Sequence, residues 1–193
     1  MVVTWVRNRG KKEMRIKLSE CTGLVIDIQE RLFPVMHQRD ELLHRVQILL
    51  EGLKILNIPM LVTEQYPKGL GVTLAPLTKA LDQPDIIEKL SFSCCGEPDF
   101  ILALENLGKS HVIICGIEAH VCVLQTVLDL VEKGYKPVVL ADCISSRNPD
   151  DQAVAIERMH SEGAVITTSE SLLFELTVEA GTQQFKSISR LVK

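Results

Sequence analysis

The chain has 193 residues, of which 46% are hydrophobic and 24% are charged, as is ordinary for a globular protein. Its net charge of -4 offers no positive surface for nucleic acid or for an anionic membrane. No apolar run approaches the length of about 20 residues that spans a bilayer. We therefore predict neither a nucleic acid partner nor a membrane partner, and a chain of this length is compatible with one folded domain.

Residues 1–20 are predicted to be a poorly ordered N-terminal extension, and residues 21–193 a single domain. The extension is basic, with Arg7, Arg9 and Lys11, but it lacks the apolar core of a secretory signal and contains Glu13. This composition fits both a targeting segment and a poorly ordered extension without a targeting role.

The six cysteines form neither a Cys-x-x-Cys pair nor a cluster with histidine, so their spacing favours free thiols over disulfides or zinc. They are Cys21, Cys94, Cys95, Cys115, Cys122 and Cys143. The chain also has no Gly-x-Gly-x-x-Gly after its first strand and no Walker loop. We predict no metal and no cofactor. Because free thiols suit a reducing compartment, we also predict a cytoplasmic location.

Short apolar runs alternate with helical periodicity from residue 22 onward. Strands are predicted at 23–28, 60–63, 85–89, 112–115, 137–141 and 164–167. Helices are predicted at 40–57, 73–81, 98–107, 119–133, 150–162, from 170, and at 182–192, with a polar loop at 64–71. This alternation predicts a three-layer αβα sandwich around a doubly wound, six-stranded and mainly parallel sheet.

Several reactive side chains follow the predicted strands at their carboxyl ends, where doubly wound sheets bind ligands. Asp27 ends the first strand, Glu64 follows the second and Lys89 ends the third. The segment through Cys122 follows the fourth strand, and Asp142 comes just past the fifth. We therefore expect Asp27, Glu64, Lys89 and the segment through Cys122 on one rim of the sheet.

Cys122 is predicted in the first turn of the helix that follows the fourth strand. Free N–H groups and the helix dipole at such a position lower the pKa of a thiol and can make it a nucleophile. The alternative is a buried structural cysteine on the inner face of the helix.

The neighbouring groups also leave alternatives open. Asp27 is either a base for the thiol or a capping carboxylate, and Lys89 either pairs with Asp27 or is a solvated lysine. His120 is two residues from Cys122, so it is either an activating base or a group on the substrate side.

Three motifs in order carry a resemblance to a known family. They are Leu-Val-Ile-Asp-Ile-Gln at 24–29, Glu-Lys-Leu-Ser-Phe-Ser at 88–93 and Gly-Ile-Glu-Ala-His-Val-Cys-Val at 116–123. From about residue 22 to its end, the chain resembles the isochorismatase-like hydrolases, which include nicotinamidases and N-carbamoylsarcosine amidohydrolase. Segments 63–71, 116–123 and 167–176 are most similar to the isochorismatase-domain-containing subgroup.

The resemblance implies a catalytic triad of Asp27, Lys89 and Cys122. It also implies a cis peptide bond between Ile117 and Glu118, with the backbone N–H groups of Glu118 and Cys122 holding an oxyanion. The substrate pocket is expected to be formed by Gln29, Phe33, Glu64, Gln65, Tyr66, Ile117 and His120. Nicotinamidases carry an Asp-x-His metal pattern where this chain has residues 64–66, so the resemblance implies neither zinc nor nicotinamide here.

The function predicted on this basis is cysteine-dependent hydrolysis of a small amide or related C–N substrate. One alternative is hydrolysis of an isochorismate-like vinyl ether with Asp27 as the acid and no covalent intermediate. A second is a catalytically idle, oligomeric binding protein of the same fold. The family also implies a homo-oligomer, associating through helix 119–133 and the C-terminal segment, that acts on a small-molecule substrate.

Overall fold

The computed structural model describes residues 15–193, which form one sheet covered by helices on both faces. The strands are β1 Cys21–Ile26, β2 Met60–Gln65, β3 Ile86–Lys89, β4 His111–Ile117, β5 Lys136–Ser145 and β6 Val165–Thr167. All neighbours pair in parallel in the order β3-β2-β1-β4-β5-β6. The prediction of a doubly wound, six-stranded α/β sheet is confirmed.

Helices enclose the sheet because every central strand is apolar on both faces. They are α1 Arg39–Ile55, α2 Pro67–Leu70, α3 Ala75–Ala80, α4 Pro98–Leu107, α5 Leu124–Glu132, α6 Pro149–Ser161, α7 Ser169–Thr177 and α8 Gln183–Leu191. In β1, Val25 packs in the core beneath α1, α3, α7 and α8, whereas Leu24 and Ile26 pack beneath α4, α5 and α6. The result is the predicted three-layer sandwich.

Several element boundaries differ from the prediction. Strand β1 ends at Ile26, β2 continues to Gln65, and the short helix α2 lies in the region predicted as loop. The prediction that Asp142 follows the fifth strand is wrong, because β5 continues to Ser145 after a shift of register against β4. The Asp142 carboxylate instead accepts hydrogen bonds from Ser169 N and Oγ, at 2.9 and 2.6 Å, where α7 begins.

The predicted N-terminal extension is described only in part, since residues 1–14 lie outside the described residues. Ile16 is buried in the core, and its N–H donates to Glu175 Oε1 at 2.8 Å. A single 3-10 turn, Leu18–Glu20, then leads into β1. The packed part of the chain therefore begins before residue 21.

The chain winds outward in opposite directions from the adjacent strands β1 and β4, and their carboxyl ends form the switch point of the sheet. Gly116 lies at this point with φ +148°, and a Cβ atom there would overlap the Ile26 carbonyl oxygen and lie 2.6 Å from Ile26 Cβ. Glycine thus allows β4 to approach β1 closely. Across residues 15–193, no helix is long and apolar enough to cross a membrane.

Candidate active site

The structure brings Asp27, Lys89 and Cys122 together at the switch point. Asp27 follows β1 in a left-handed conformation with φ +54°, and Lys89 is the last residue of β3. Lys89 Nζ lies 2.6 Å from Asp27 Oδ2, and neither side chain is exposed to solvent. The Cys122 thiol and the Asp27 carboxyl group are near enough for each to shift the pKa of the other.

The Lys89 ammonium group is surrounded by oxygen atoms. Nζ donates hydrogen bonds to Gln65 Oε1 at 2.7 Å, to the Phe92 carbonyl at 2.9 Å and to the Ser91 carbonyl at 3.2 Å. These partners are all acceptors, and an ammonium group has only donors. The cradle therefore stabilises the protonated form of a lysine that water does not reach.

The two oxygens of Asp27 have different partners. Oδ1 accepts a 2.8 Å hydrogen bond from Thr63 Oγ1, and the Asp27 N–H donates to the Thr63 carbonyl at 3.2 Å. Oδ2 lies 2.6 Å from Lys89 Nζ, as in a charge-assisted contact between a carboxylate and an ammonium group.

Burial raises the pKa of Asp27 above that of an ordinary aspartate, and the positive charge of Lys89 only partly opposes the effect. Burial lowers the pKa of Lys89, but Asp27 and the neighbouring thiols outweigh it, so the pKa is raised. Burial, followed by the negative charge of Asp27, raises the pKa of the Cys122 thiol. The expectation of a lowered thiol pKa is therefore wrong, and Cys122 rests as a thiol that needs a base.

The backbone around Cys122 is not the start of the predicted α-helix. Ala119–Val123 form a single π-helical turn, and α5 begins only at Leu124. The Glu118 carbonyl accepts from Val121 N at 3.0 Å and from Val123 N at 3.3 Å, which widens the turn. The Ile117–Glu118 peptide bond is cis.

Three of the predicted pocket residues have buried polar side chains that form hydrogen bonds within the protein. Gln29 and Gln65 hydrogen-bond each other and nearby backbone groups. The Glu64 carboxylate accepts from Thr73 N at 2.6 Å and from Thr73 Oγ1 at 2.8 Å. Among residues 15–193, no three His, Cys, Asp or Glu side chains cluster in a way that could hold a metal ion.

The remaining predicted pocket residues lie at different depths. Phe33 and Ile117 are buried, whereas Tyr66 is half-exposed. His120 Nδ1 lies 2.8 Å from Ser146 Oγ, so its ring contacts the residue that follows β5. The Glu118 carboxylate lies 3.0 Å from Arg147 Nε, so it also contacts the segment that follows β5.

Two threonines and a cysteine at the site were missed by the sequence analysis. Thr63 binds Asp27, and Cys94 Sγ lies 3.7 Å from Thr63 Oγ1. Thr126 Oγ1 donates to the Cys122 carbonyl at 2.7 Å and accepts from Cys94 N at 3.0 Å. A signal existed for Thr63, because a hydroxyl two residues before Gln65 lies on the same face of an extended strand. The bridge through Thr126 depends on a distant loop and has no local signal.

The family can be assigned once this site is compared with known proteins. The model of the isochorismatase domain matches residues 22–171. The chain belongs to the isochorismatase family. The resemblance seen in the three motifs is thereby confirmed.

Relatives of this isochorismatase-family chain are similar over most of their length. It is 40% identical to the secreted isochorismatase effector Isc1 of Phytophthora sojae, covering 88% of this chain and 82% of that one. It is 37% identical to isochorismatase domain-containing protein 2 of Danio rerio, covering 92% and 89%. The structure of the MAR1 ribonuclease from Caenorhabditis elegans is 36% identical with a TM-score of 0.85, and the match covers 92% of each chain.

An open cavity of about 270 Å³ lies at the surface beside Lys89. Tyr66, Pro67 and Leu90 provide much of its apolar lining, and Glu88 and Glu97 supply carboxylates. Leu90 is 73% exposed and Phe92 54% exposed. The protein surface next to the buried cluster thus exposes large apolar side chains.

Proposed function

We propose that this isochorismatase-family protein is a cysteine hydrolase of a small amide or a related C–N bond. The observation that supports it best is the buried ion pair between Lys89 Nζ and Asp27 Oδ2, with the Cys122 thiol near enough for the charge of Asp27 to raise its pKa. A buried charge pair costs free energy to desolvate, so its occurrence beside a thiol suggests a catalytic use.

In the first half of the reaction, Asp27 Oδ2 takes the thiol proton as Cys122 Sγ attacks the substrate carbonyl and forms a C–S bond. The raised pKa of Asp27 makes it a stronger base than an ordinary aspartate. The carbonyl oxygen becomes an oxyanion, which the N–H groups of Glu118 and Cys122 hold. Asp27 then gives the proton to the leaving amine as the C–N bond breaks.

In the second half, Asp27 takes a proton from water while the water oxygen attacks the thioester carbon. The C–S bond breaks, the acid product leaves, and the proton returns to Cys122. Lys89 remains an ammonium group throughout and stabilises Asp27 whenever it is ionised. No external oxidant or cofactor is consumed.

The substrate is expected to approach the cluster from the side on which Tyr66 is half-exposed. Tyr66 and His120, together with Phe33 and Ile117, would form the wall nearest the carbonyl. Glu64 would contribute indirectly, because its carboxylate holds Thr73.

Replacement of Cys122 by Ala tests the covalent mechanism. We expect Cys122→Ala to lose at least about 10³-fold in kcat on any amide that the wild type hydrolyses, because the nucleophile is absent. Cys95→Ala, which removes a thiol outside the cluster, should keep wild-type turnover. Undiminished turnover by Cys122→Ala would exclude a thioester, and intact-mass spectra taken during turnover distinguish an acylated Cys122 from vinyl-ether hydrolysis without an intermediate.

Cleavage of RNA is a second candidate, favoured by the ribonuclease name of the C. elegans relative. The net charge of -4 speaks against a strong affinity for a polyanion. Labelled RNA incubated with the wild type and with Cys122→Ala separates the two functions. Cleavage that depends on Cys122 would support the nuclease, and cleavage equal in both proteins would indicate a contaminant.

A further inference from the structure

The loop that follows β3 binds the Lys89 ammonium group through its backbone. Lys89 Nζ donates hydrogen bonds to the Ser91 carbonyl at 3.2 Å and to the Phe92 carbonyl at 2.9 Å. Only Ser93 separates Phe92 from Cys94, whose N–H donates to a hydroxyl group of α5 at 3.0 Å. Because this stretch of backbone is so short, a shift of Cys94 also moves the carbonyls that bind Lys89.

The hydroxyl group belongs to Thr126, which joins this loop to the segment of the nucleophile. Thr126 Oγ1 accepts from Cys94 N and donates to the Cys122 carbonyl at 2.7 Å. A hydroxyl group has one proton, so the bond to the carbonyl uses it and a lone pair receives the Cys94 N–H. Thr126 and Cys94 are fully buried and Cys122 is 5% exposed, so water does not replace these bonds.

A second hydrogen bond ties the same loop to α5 about one turn further along the helix. Ser93 Oγ donates to Asp129 Oδ2 at 2.6 Å and accepts from Cys95 N at 3.2 Å. Thr126 and Asp129 are three residues apart, so they lie on the same face of α5. The loop therefore meets α5 at two points, and α5 continues directly from the π-helical turn that contains Cys122.

We propose that Thr126 is a positioning residue that fixes the Cys122 backbone against the loop that binds Lys89, and so sets how close the ammonium group lies to the thiol. This inference rests on the proposed function, because the spacing matters only if Cys122 is the nucleophile. The alternative is a structural hydroxyl that satisfies one buried N–H group and bonds the carbonyl four residues earlier, as threonines in helices can.

Alkylation of Cys122 by iodoacetamide between about pH 6 and pH 9, measured by mass spectrometry, provides a test that needs no substrate. Asp27, Lys89 and Cys94 are the titratable groups that act most strongly on this thiol. Burial and the charge of Asp27 raise the pKa of Cys122, whereas the charge of Lys89 lowers it.

Thr126→Val keeps the branched shape of the side chain but removes the hydroxyl group, so it releases the loop from Cys122. The Lys89 charge should then lie farther from the thiol, which leaves less thiolate at each pH. We expect the alkylation rate to fall about threefold to tenfold across this pH range, as for a rise of about half to one unit in the pKa. A general loosening of the packing would instead expose the thiol and raise the rate.

Thr177→Val is the matched control, because Thr177 Oγ1 makes the same kind of bond in α7, on the opposite face of the sheet. It donates to the Leu173 carbonyl at 2.7 Å and is likewise buried. The Cys122 alkylation rate of this variant should equal that of the wild type. Thr126→Ser keeps the hydroxyl group and should restore the rate to within about twofold.

Turnover of an amide that the wild type hydrolyses gives a second measurement. A positioning role predicts that Thr126→Val lowers kcat about tenfold and leaves KM within about twofold, because the substrate does not touch the hydroxyl group. If Thr126→Val fails to fold, Ser93→Ala decides, since it breaks the neighbouring bond between the loop and α5 and should slow alkylation in the same direction.

An unchanged or faster alkylation rate in the deciding variant would overturn the role of Thr126, as would a Thr126→Ser variant that is as slow as Thr126→Val. Failure of the proposed function has a different signature. In that case Cys122→Ala keeps full turnover, whereas an error confined to Thr126 leaves turnover dependent on Cys122 but unaffected by Thr126→Val.

Discussion

Lys89 is a charged residue that the fold buries completely beside an oppositely charged one. A comparable lysine, Lys54, makes an ion pair with Asp82 at the same distance of 2.6 Å, but at the surface. Solvent screening makes the surface pair worth little, whereas removing one partner of a buried pair leaves a charge without compensation. Because the charges are equally far apart in the two pairs, a comparison of the two lysines isolates the effect of burial on stability.

We expect Lys89→Met to lower the free energy of unfolding by about 3–5 kcal/mol at pH 7.5, because Asp27 is left buried without a counter-charge. Without Lys89, the pKa of Asp27 in the folded protein rises further above its unfolded value. A carboxyl group whose pKa is higher in the folded than in the unfolded protein stabilises the folded state at pH values below the unfolded pKa. This contribution is lost as the pH rises through the folded pKa. The variant should therefore lose less stability at pH 4.5 than at pH 7.5, as measured by urea unfolding.

Two controls accompany this measurement. Lys54→Met should lose much less stability than Lys89→Met, and the loss should be the same at both pH values because water screens the pair. Adding Asp27→Asn to Lys89→Met should recover much of the loss at pH 7.5, because the uncompensated charge is gone. Equal losses for Lys54→Met and Lys89→Met would contradict the argument.

At the scale of elements, the segment from β4 through the π-helical turn to α5 places Cys122. The end of β4 is pressed against the end of β1 at Gly116, and the wide turn then presents the thiol to Asp27. Thr126 in α5 ties the Cys122 carbonyl to the loop that contains Cys94. The position of the thiol thus depends on contacts from three separate parts of the chain.

Gly116→Ala should destabilise the protein by about 2–4 kcal/mol, because the added methyl group combines steric overlap with an unfavourable φ. It should also reduce turnover strongly, since relief of the overlap separates Cys122 from Asp27. Urea unfolding and an amide assay measure the two effects. Gly134→Ala, with φ +84° and open space around the Cβ, is the control and should lose only about 1–2 kcal/mol with normal turnover. Equal effects of the two substitutions would rule out the close approach as the cause.

At the scale of the whole molecule, the doubly wound sheet brings the ends of β1, β3 and β4 to one rim. The same rim exposes apolar side chains, with Leu90 at 73%, Phe92 at 54% and Tyr66 at 50%. Contact with another copy of the chain would remove such surface from water. We propose that this surface contributes to the homo-oligomer that the resemblance implies.

We expect light scattering after size exclusion to give a mass that is a multiple of the 21.5 kDa chain at about 10 µM protein. Dilution over two orders of magnitude serves as the control, because a specific oligomer keeps a discrete mass until it dissociates. A mass of one chain at every concentration would contradict the proposal.

Much of the fold could be predicted because the signals are local. The six apolar runs and the helical periods between them predict the parallel α/β sheet, and three motifs predict the family. Boundaries were less predictable where tertiary contacts decide them. Strand β2 extends through Glu64 and Gln65 because β3 pairs with it there, and β5 continues past Asp142 because it pairs again with β4 beyond the register shift.

The sequence by itself determined that Asp27, Lys89 and Cys122 lie at or just beyond the carboxyl ends of three strands, since parallel winding places those ends on one rim. Only the tertiary structure decided the electrostatics of that rim. The helix-start argument predicted a lowered pKa for Cys122, but burial and the charge of Asp27 raise it. Likewise, no local pattern shows that Gln65 faces the Lys89 ammonium group. Burial and hydrogen-bond direction arise from segments far apart in the chain, and these set the chemistry at Cys122.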